Sequence, residues 1–196
     1  SRRRVFIAIL LVGTFMMGLV RPGEADHLHP PARAVILAAI DHLLNQDPDA
    51  ADAECRRLEK LDSTGLLFPF CSAYVLLTRA DEKEDPTEDL ERFRQKIGGV
   101  VERLEKALEK APKDPDLLFL TGMAWGYKAL ADGILKNYFS AYKGLRNAYT
   151  LLQETLKIDP RYYDAYYGLG LDHYAFSRLS SFSRLIASLL LPSGDR

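Results

Sequence analysis

The sequence predicts an all-α fold built from tandem antiparallel helical hairpins, and two observations carry this prediction. Beyond Pro31, apolar residues recur every three or four positions, the period of a helix with one buried face, and no stretch alternates convincingly as a strand would. The dipeptide Asp-Pro recurs at predicted helix starts, where Asp caps the first turn and Pro at the first helical position loses no hydrogen bond. These dipeptides are Asp47-Pro48, Asp85-Pro86, Asp114-Pro115 and Asp159-Pro160.

The apolar stripes divide the chain into helices and hairpins. The first two helices are predicted at about 32–45 and 49–61, and the third at about 65–80. A charged linker at 81–85 leads into a long helix that ends near residue 110. The pattern therefore predicts four hairpins, of which the last is incomplete, at about 32–61, 65–110, 114–158 and 161–191.

Composition narrows the class of function. The 196 residues suit one domain, and 47% hydrophobic with 27% charged residues indicates a folded body rather than a disordered chain. Lys and Arg total 26 against 27 for Asp and Glu, a net charge of -1. Because nucleic-acid binding needs a basic surface, this balance predicts no nucleic-acid partner.

The N-terminus has the layout of an export signal. Arg2, Arg3 and Arg4 precede an apolar run at 5–20, which Arg21 ends. Residues 1–25 are therefore predicted to be a cleaved signal peptide or an uncleaved N-terminal membrane anchor, followed by a linker at 26–31 and a helical domain at 32–196. Either alternative predicts a periplasmic or exported protein, anchored in the inner membrane through 5–20 if the segment is kept. His27 and His29 in the linker have no further ligand nearby, so no metal site is predicted.

Two segments of the second half share an internal spacing. Pro112 and Pro160 are each followed ten residues later by a glycine inside the next predicted helix, Gly122 and Gly170, and 48 residues separate the two copies. Glycine is disfavoured in a helix interior, so it predicts a close approach of a partner helix. Around the glycines, and before the prolines, stand further matched positions: Leu118, Trp125, Ala148, Leu152, Tyr166, Leu169 and His173.

These residues resemble the tetratricopeptide (TPR) signature, in which a large residue, Leu-Gly and an aromatic on one helix are followed by Ala-x3-Phe and a closing proline. The resemblance covers about 98–178 well and 49–80 loosely, and implies a TPR-like α-solenoid of bacterial exported type. The spacing of 48 residues exceeds the usual ~34, which adds about two turns, or ~10 Å, to each helix. The surplus is placed at 129–138, so lengthened hairpins are expected.

The resemblance also implies which residues pack and which bind. The first helix of each hairpin would line a concave groove, with one edge packed inward and the next edge open to a partner. The packing set is Leu118, Gly122, Trp125, Ala148, Pro160, Tyr166, Leu169, Gly170 and His173. The partner-binding set is Phe119, Met123, Tyr127, Tyr167, Leu171 and Tyr174, although the superhelix or further C-terminal helices could equally cover this edge.

No local pattern indicates catalysis. The four His are scattered, and no Ser-His-Asp, Cys-His or phosphate-loop arrangement is present, so neither catalytic residues nor a cofactor is predicted. The favoured function is a non-catalytic scaffold or adaptor of the bacterial cell envelope that binds an apolar or aromatic-anchored peptide or helix. The alternative is a helical protein that binds an apolar ligand or a membrane surface, on account of the stripe Phe182, Leu185, Ile186, Leu189 and Leu190.

The two cysteines form a candidate disulfide. Cys55 and Cys71 each lie eight residues from Ser63, the centre of the predicted turn, and both fall on apolar stripes. Export would place them in an oxidising compartment, where such a pair can bridge. Facing but unbridged thiols are the alternative, because Cys is commonly a small buried hydrophobe.

Overall fold

The computed structural model describes residues 30–62, 65–81, 83 and 85–178, and every regular element in that part of the chain is a helix. The all-α prediction is therefore confirmed for these residues. The predicted signal or anchor at 1–25 and the second half of the fourth hairpin lie outside the described residues. The helices are α1 (Pro30–Leu44), α2 (Pro48–Leu61), α3 (Leu67–Asp81), α4 (Thr87–Lys110), α5 (Pro115–Ile134), α6 (Tyr138–Ile158) and α7 (Tyr163–Arg178).

Each helix packs against the next one in the chain, so the core follows the order of the sequence. Contacts between alternate helices join α1 to α3 and α5 to α7. The largest fully buried side chains come from α2 to α6 and include Leu58, Phe93, Leu104, Phe119 and Leu152. Burial of these side chains stabilises the fold by roughly 1.5–3 kcal/mol each relative to exposure.

Carboxylates decide where several helices begin. Asp114 accepts hydrogen bonds from the backbone N–H of Asp116 (2.9 Å) and Leu117 (3.1 Å), so that α5 begins at Pro115. Helix α3 begins two residues later than predicted. Its start follows Asp62, whose carboxylate accepts from the backbone N–H of Leu66 (2.8 Å) and Leu67 (2.7 Å).

The turns within two hairpins share one geometry. Gln46 after α1 and Lys136 after α5 both have a positive φ, 60° and 64°. In each turn the following residue donates a backbone hydrogen bond five residues back, from Asp47 to His42 (2.9 Å) and from Asn137 to Asp132 (2.7 Å). This is the Schellman arrangement, which satisfies the last carbonyls of a helix.

The turns between hairpins also repeat. In each of them a backbone N–H donates a hydrogen bond to the carbonyl three residues earlier. The bonds run from Gly65 to Asp62 (3.2 Å), from Asp114 to Ala111 (3.1 Å) and from Tyr162 to Asp159 (3.1 Å). Helices α3, α5 and α7 begin at residues 67, 115 and 163, so successive starts are 48 residues apart. The interval seen between Gly122 and Gly170 in the sequence thus extends one hairpin further towards the N-terminus.

Candidate functional site

The edge of α5 predicted to line an open groove is part of the core. Phe119, Met123 and Tyr127 are at most 5% exposed. The Tyr127 ring packs edge-on against Phe70 of α3, with centroids 5.7 Å apart, and the Phe119 ring lies 4.9 Å from that of Tyr162, just before α7. The groove assignment is wrong for these three residues, because the neighbouring hairpins on both sides fill the space beside α5.

The other predicted groove residues lie on α7. Tyr167 is half-buried and packs against the core, and the side chains of Leu171 and Tyr174 lie outside the described residues. Burial raises the pKa of the Tyr127 hydroxyl well above its usual value, and the neighbouring Tyr74 and Tyr167 raise it further. The Tyr127 phenol therefore remains neutral at physiological pH and acts as a packing group.

Gly122 makes the close helix approach that the sequence predicts. A Cβ at Gly122 would lie 3.1 Å from Leu152 Cγ and 3.3 Å from the carbonyl oxygen of Ala148, both on α6. These two residues are the Ala and the large apolar residue of the predicted motif. Leu118 is buried one turn earlier, and Trp125 is half-buried one turn later.

The corresponding positions on α7 behave differently. Gly170 is exposed, and a Cβ placed there would have no atom of the described residues within 4 Å, while Tyr166 is 52% exposed. The expected packing roles of both are therefore not observed in the described part of the chain. The segment predicted to cover them, at about 181–191, lies outside the described residues. The close approach on α7 belongs to Gly168, where a Cβ would lie 2.9 Å from Leu152 Cδ1 and 3.0 Å from Met123 Sδ.

The remaining members of the packing set have mixed surroundings. Ala148 is fully buried, Leu169 is half-buried against the core, and Pro160 is exposed in the turn between α6 and α7. The side chain of His173 lies outside the described residues.

The sequence prediction also missed a second close glycine in the α5–α6 crossing. A Cβ at Gly144 would lie only 2.8 Å from Ala129 Cβ and 3.3 Å from the carbonyl oxygen of Trp125. Ala141, Gly144 and Ala148 form a stripe of small residues on one face of α6, and this spacing is visible in the sequence.

An open depression lies where α4 faces the turn between α5 and α6. It has a volume of about 550 Å³ and is open to solvent, and we consider it as a candidate binding site. Its lining combines charged side chains from α4 and α5 with the first residues of α6: Glu91, Arg94, Asp132, Asn137, Tyr138, Phe139 and Ser140.

Asp132 supplies a buried carboxylate at the base of this depression. Its side chain is fully buried, and its Oδ2 accepts hydrogen bonds from Lys128 Nζ (2.8 Å) and Ser140 Oγ (2.7 Å). Its Oδ1 has no hydrogen-bond partner among the described residues, and Arg94 Nη1 lies 3.8 Å from it. An acidic residue this close to a helix C-terminus opposes the helix dipole, so the bonds from Lys128 and Ser140 must offset that cost.

Arg94 and Glu91 form the α4 wall of the depression. Arg94 donates to Glu91 Oε2 through Nε at 2.8 Å and Nη2 at 2.7 Å, a pairing within one turn of the same helix. The main interaction of the Arg94 guanidinium is therefore with Glu91, and its contact with Asp132 is longer and weaker.

Two aromatic side chains form the rim on the α6 side. Tyr138 is 54% exposed and its neighbour Phe139 is 76% exposed. They occupy the first turn of α6, and the side chain of Asn137 before them makes no capping hydrogen bond. Exposed aromatics beside a polar depression are a feature of protein interaction sites.

The polar contacts continue along α5, away from the depression. The Lys128 ammonium lies 5.7 Å from the centroid of the Trp125 ring, and Trp125 Nε1 donates to Glu105 Oε1 of α4 at 3.0 Å. Sequence reasoning missed this network, although Lys128 and Asp132 in an otherwise apolar helix are four residues apart, the spacing of a helical ion pair.

A second polar pair joins α3 and α4. The Lys96 ammonium donates to Ser72 Oγ, and burial lowers the Lys96 pKa. Ser72 is buried, so its hydroxyl is not accessible to a substrate in this structure.

Cys55 of α2 and Cys71 of α3 are joined by a disulfide, with Cα atoms 5.7 Å apart. Both residues are buried, so the bridge lies inside the contact between the first two hairpins. The pair is the one that the turn-centred spacing in the sequence singled out.

Two other kinds of site are absent from the part of the chain that the structure describes. Within it, no three His, Cys, Asp or Glu side chains are grouped as metal ligands. None of the described helices combines the length and the apolar character that crossing a membrane requires.

Comparisons with models of protein families, with curated proteins and with solved structures found no match to this chain. Functional inference therefore depends on the residues and geometry of the chain itself.

Proposed function

We propose that this chain is a non-catalytic scaffold of the bacterial cell envelope that holds a segment of a protein partner at the depression between α4 and the α5–α6 turn. The observation that carries the proposal is the exposure of Tyr138 and Phe139 side by side on the rim of that depression. Aromatic residues supply a large share of the binding energy at protein interfaces, and burying two exposed rings favours association.

A TPR-like arrangement with lengthened hairpins is part of the proposal. What supports it is the 48-residue spacing of helix starts, the repeated turn geometry, and the packing of Gly122 on α6. In this arrangement the predicted groove edge serves to stack hairpins on one another, and the binding surface moves to their ends.

Export to the periplasm is supported by the Cys55–Cys71 disulfide, because such bonds persist in oxidising compartments. The alternative function, binding of an apolar ligand or a membrane surface, rests on the stripe at 182–190, which lies outside the described residues. Binding to a membrane surface is therefore treated as a competing outcome of the experiment described next.

The test is selection of peptides from a displayed random library on the immobilised full chain. Selected peptides are expected to lose at least about tenfold in affinity when Tyr138 and Phe139 are both replaced by Ser. The control is Tyr163→Ser, which removes an equally exposed aromatic (75%) on a different helix and should leave affinity unchanged.

Three results would contradict the proposal. Selection could yield no specific peptide, the two rim substitutions could leave binding intact, or Tyr163→Ser could weaken it as strongly. Co-sedimentation with vesicles of phosphatidylethanolamine and phosphatidylglycerol, in the absence of peptide binding, would favour the membrane-surface alternative.

A further inference from the structure

We infer that the depression recognises a cationic side chain, so that the partner segment presents a Lys or Arg between the Tyr138–Phe139 rim and the carboxylates of Glu91 and Asp132. This inference rests on the proposed function, because it specifies the chemistry of the segment that the scaffold holds.

One carboxylate oxygen beside the depression lacks a donor among the described residues. Asp132 is one of the residues that line the depression, and its buried Oδ1 receives no hydrogen bond from the described residues. A buried acceptor without a donor is destabilising, and the arrangement persists here although Arg94 is close enough to be drawn in. A ligand ammonium or guanidinium would supply the missing donor.

The charges around the depression balance, so its selectivity depends on an open hydrogen-bond acceptor. Glu91 and Asp132 place two carboxylates in the lining against the single cation Arg94, while Lys128 bonds Asp132 through the other oxygen, Oδ2. An anionic ligand would meet Glu91 and Asp132 at once. With Lys128 counted, two carboxylates face two cations, so the preference for a cation comes from Oδ1, which accepts no hydrogen bond from Lys128 or Ser140 and can accept one from a ligand ammonium.

Arg94 separates Asp132 Oδ1 from a ligand and can move aside. Arg94 is one-third exposed and is bonded twice to Glu91 on its own helix, whereas its contact with Asp132 is 3.8 Å long. The guanidinium can therefore turn outward with Glu91 and uncover Oδ1 while keeping its strongest partner. Tyr138 and Phe139, both exposed beside the depression, then supply aromatic rings that an incoming cation can contact.

The probe is N-acetyl-lysine methylamide, compared with N-acetyl-norleucine methylamide, which has the same hydrocarbon chain length without the ammonium. Each is titrated at millimolar concentration into the full ¹⁵N-labelled chain while the backbone amide signals are followed by NMR. The lysine derivative is expected to shift the amides of Asn137 and Ser140 saturably and to bind about tenfold more tightly than the norleucine derivative.

Two variants test the carboxylates separately. Asp132→Asn removes the charge at nearly constant shape, and Glu91→Gln does so at a partly exposed position where folding is not at risk. Each is expected to weaken lysine binding several-fold. Glu109→Gln, an exposed position on the same helix α4, is the matched control and should change nothing.

The inference is overturned if the norleucine compound binds equally well, if neither compound shifts these amides, or if Glu91→Gln and Glu109→Gln have equal effects. Its failure differs from failure of the proposed function. Library peptides that need Tyr138 and Phe139 but contain no basic residue would keep the scaffold proposal and remove the cationic specificity.

Discussion

The close crossing of α5 and α6 makes a quantitative prediction about Gly144. Replacing Gly144 by Ala adds a methyl group whose carbon would lie only 2.8 Å from Ala129 Cβ. Cβ atoms in real structures essentially never approach a neighbour this closely. Ala129 Cβ is attached directly to the α5 backbone and cannot rotate away, so the helices must separate. The carbonyl oxygen of Trp125 at 3.3 Å restricts the same movement.

The magnitude follows from two opposing effects. Ala is more favourable than Gly in a helix interior by about 0.8–1 kcal/mol, and overpacking of a close contact costs about 1–3 kcal/mol. Gly99→Ala, in the interior of α4 with no atom within 4 Å of the added methyl, is the matched control that gains propensity without the clash. The free energies of unfolding of the two variants should therefore differ by about 1–3 kcal/mol, with Gly144→Ala the less stable.

Urea denaturation followed by circular dichroism measures both variants against the original chain. In thermal denaturation of a chain of this size, the same difference in unfolding free energy should separate the Tm values of the two variants by roughly 2–4 °C per kcal/mol. Ala129→Gly introduced into Gly144→Ala removes the closest atom and should recover stability beyond the sum of the single effects. Equal stabilisation by Gly144→Ala and Gly99→Ala, or no coupling with Ala129→Gly, would refute the close crossing.

Three further predictions address the disulfide, a helix cap and the α4–α5 contact. Replacing Cys55 and Cys71 together by Ala, or adding a reductant to the original chain, should lower the free energy of unfolding by about 3 kcal/mol, because the bridge closes a loop of about 15 residues; reductant should leave the double variant unchanged, and alkylatable thiols in the non-reduced protein would contradict the bridge. Asp114→Ala removes two capping bonds from α5 and should cost about 1 kcal/mol, which Asp114→Asn should largely restore; equal losses in both would mean that the cap is not the cause. Trp125 is the only Trp in the chain, so a change in its fluorescence emission on replacing Glu105 by Ala should report the loss of the Nε1 hydrogen bond, and an unchanged spectrum would count against that contact.

Helix formation and helix ends follow largely from local sequence in this protein. Asp114 bonds backbone N–H groups two and three residues away, and the bonds that build α4 and α5 span four residues, so the cause and the effect lie within one short segment. The pairing of Cys55 with Cys71 is nearly as local, because one turn between α2 and α3 brings the two residues opposite each other.

The candidate site was far less predictable. Asp132 lies in a segment of α5 that reads as apolar, and its significance depends on Ser140 across a turn and on Arg94 from the preceding hairpin. Likewise, Tyr138 and Phe139 resemble ordinary apolar positions of an amphipathic helix until the structure places them at an uncovered helix start.

The sequence by itself determined the helical class, the 48-residue interval, the caps at Asp47 and Asp114 and the close approach at Gly122, since each depends on neighbouring residues or on one adjacent helix. The other two Asp-Pro pairs do not start a helix as predicted, because Pro86 itself occupies the N-cap position of α4 and α7 begins only at Tyr163. Only the tertiary structure decided which edge of α5 is buried. The sequence pattern around Phe119 and Tyr127 would be the same whether this edge faced a partner or the core. The two side chains are buried by contacts with Tyr162 and Phe70, which belong to the hairpins on either side. Hydrophobic burial has no direction of its own, so the stacking of whole hairpins assigns each apolar edge to the interior or to the surface.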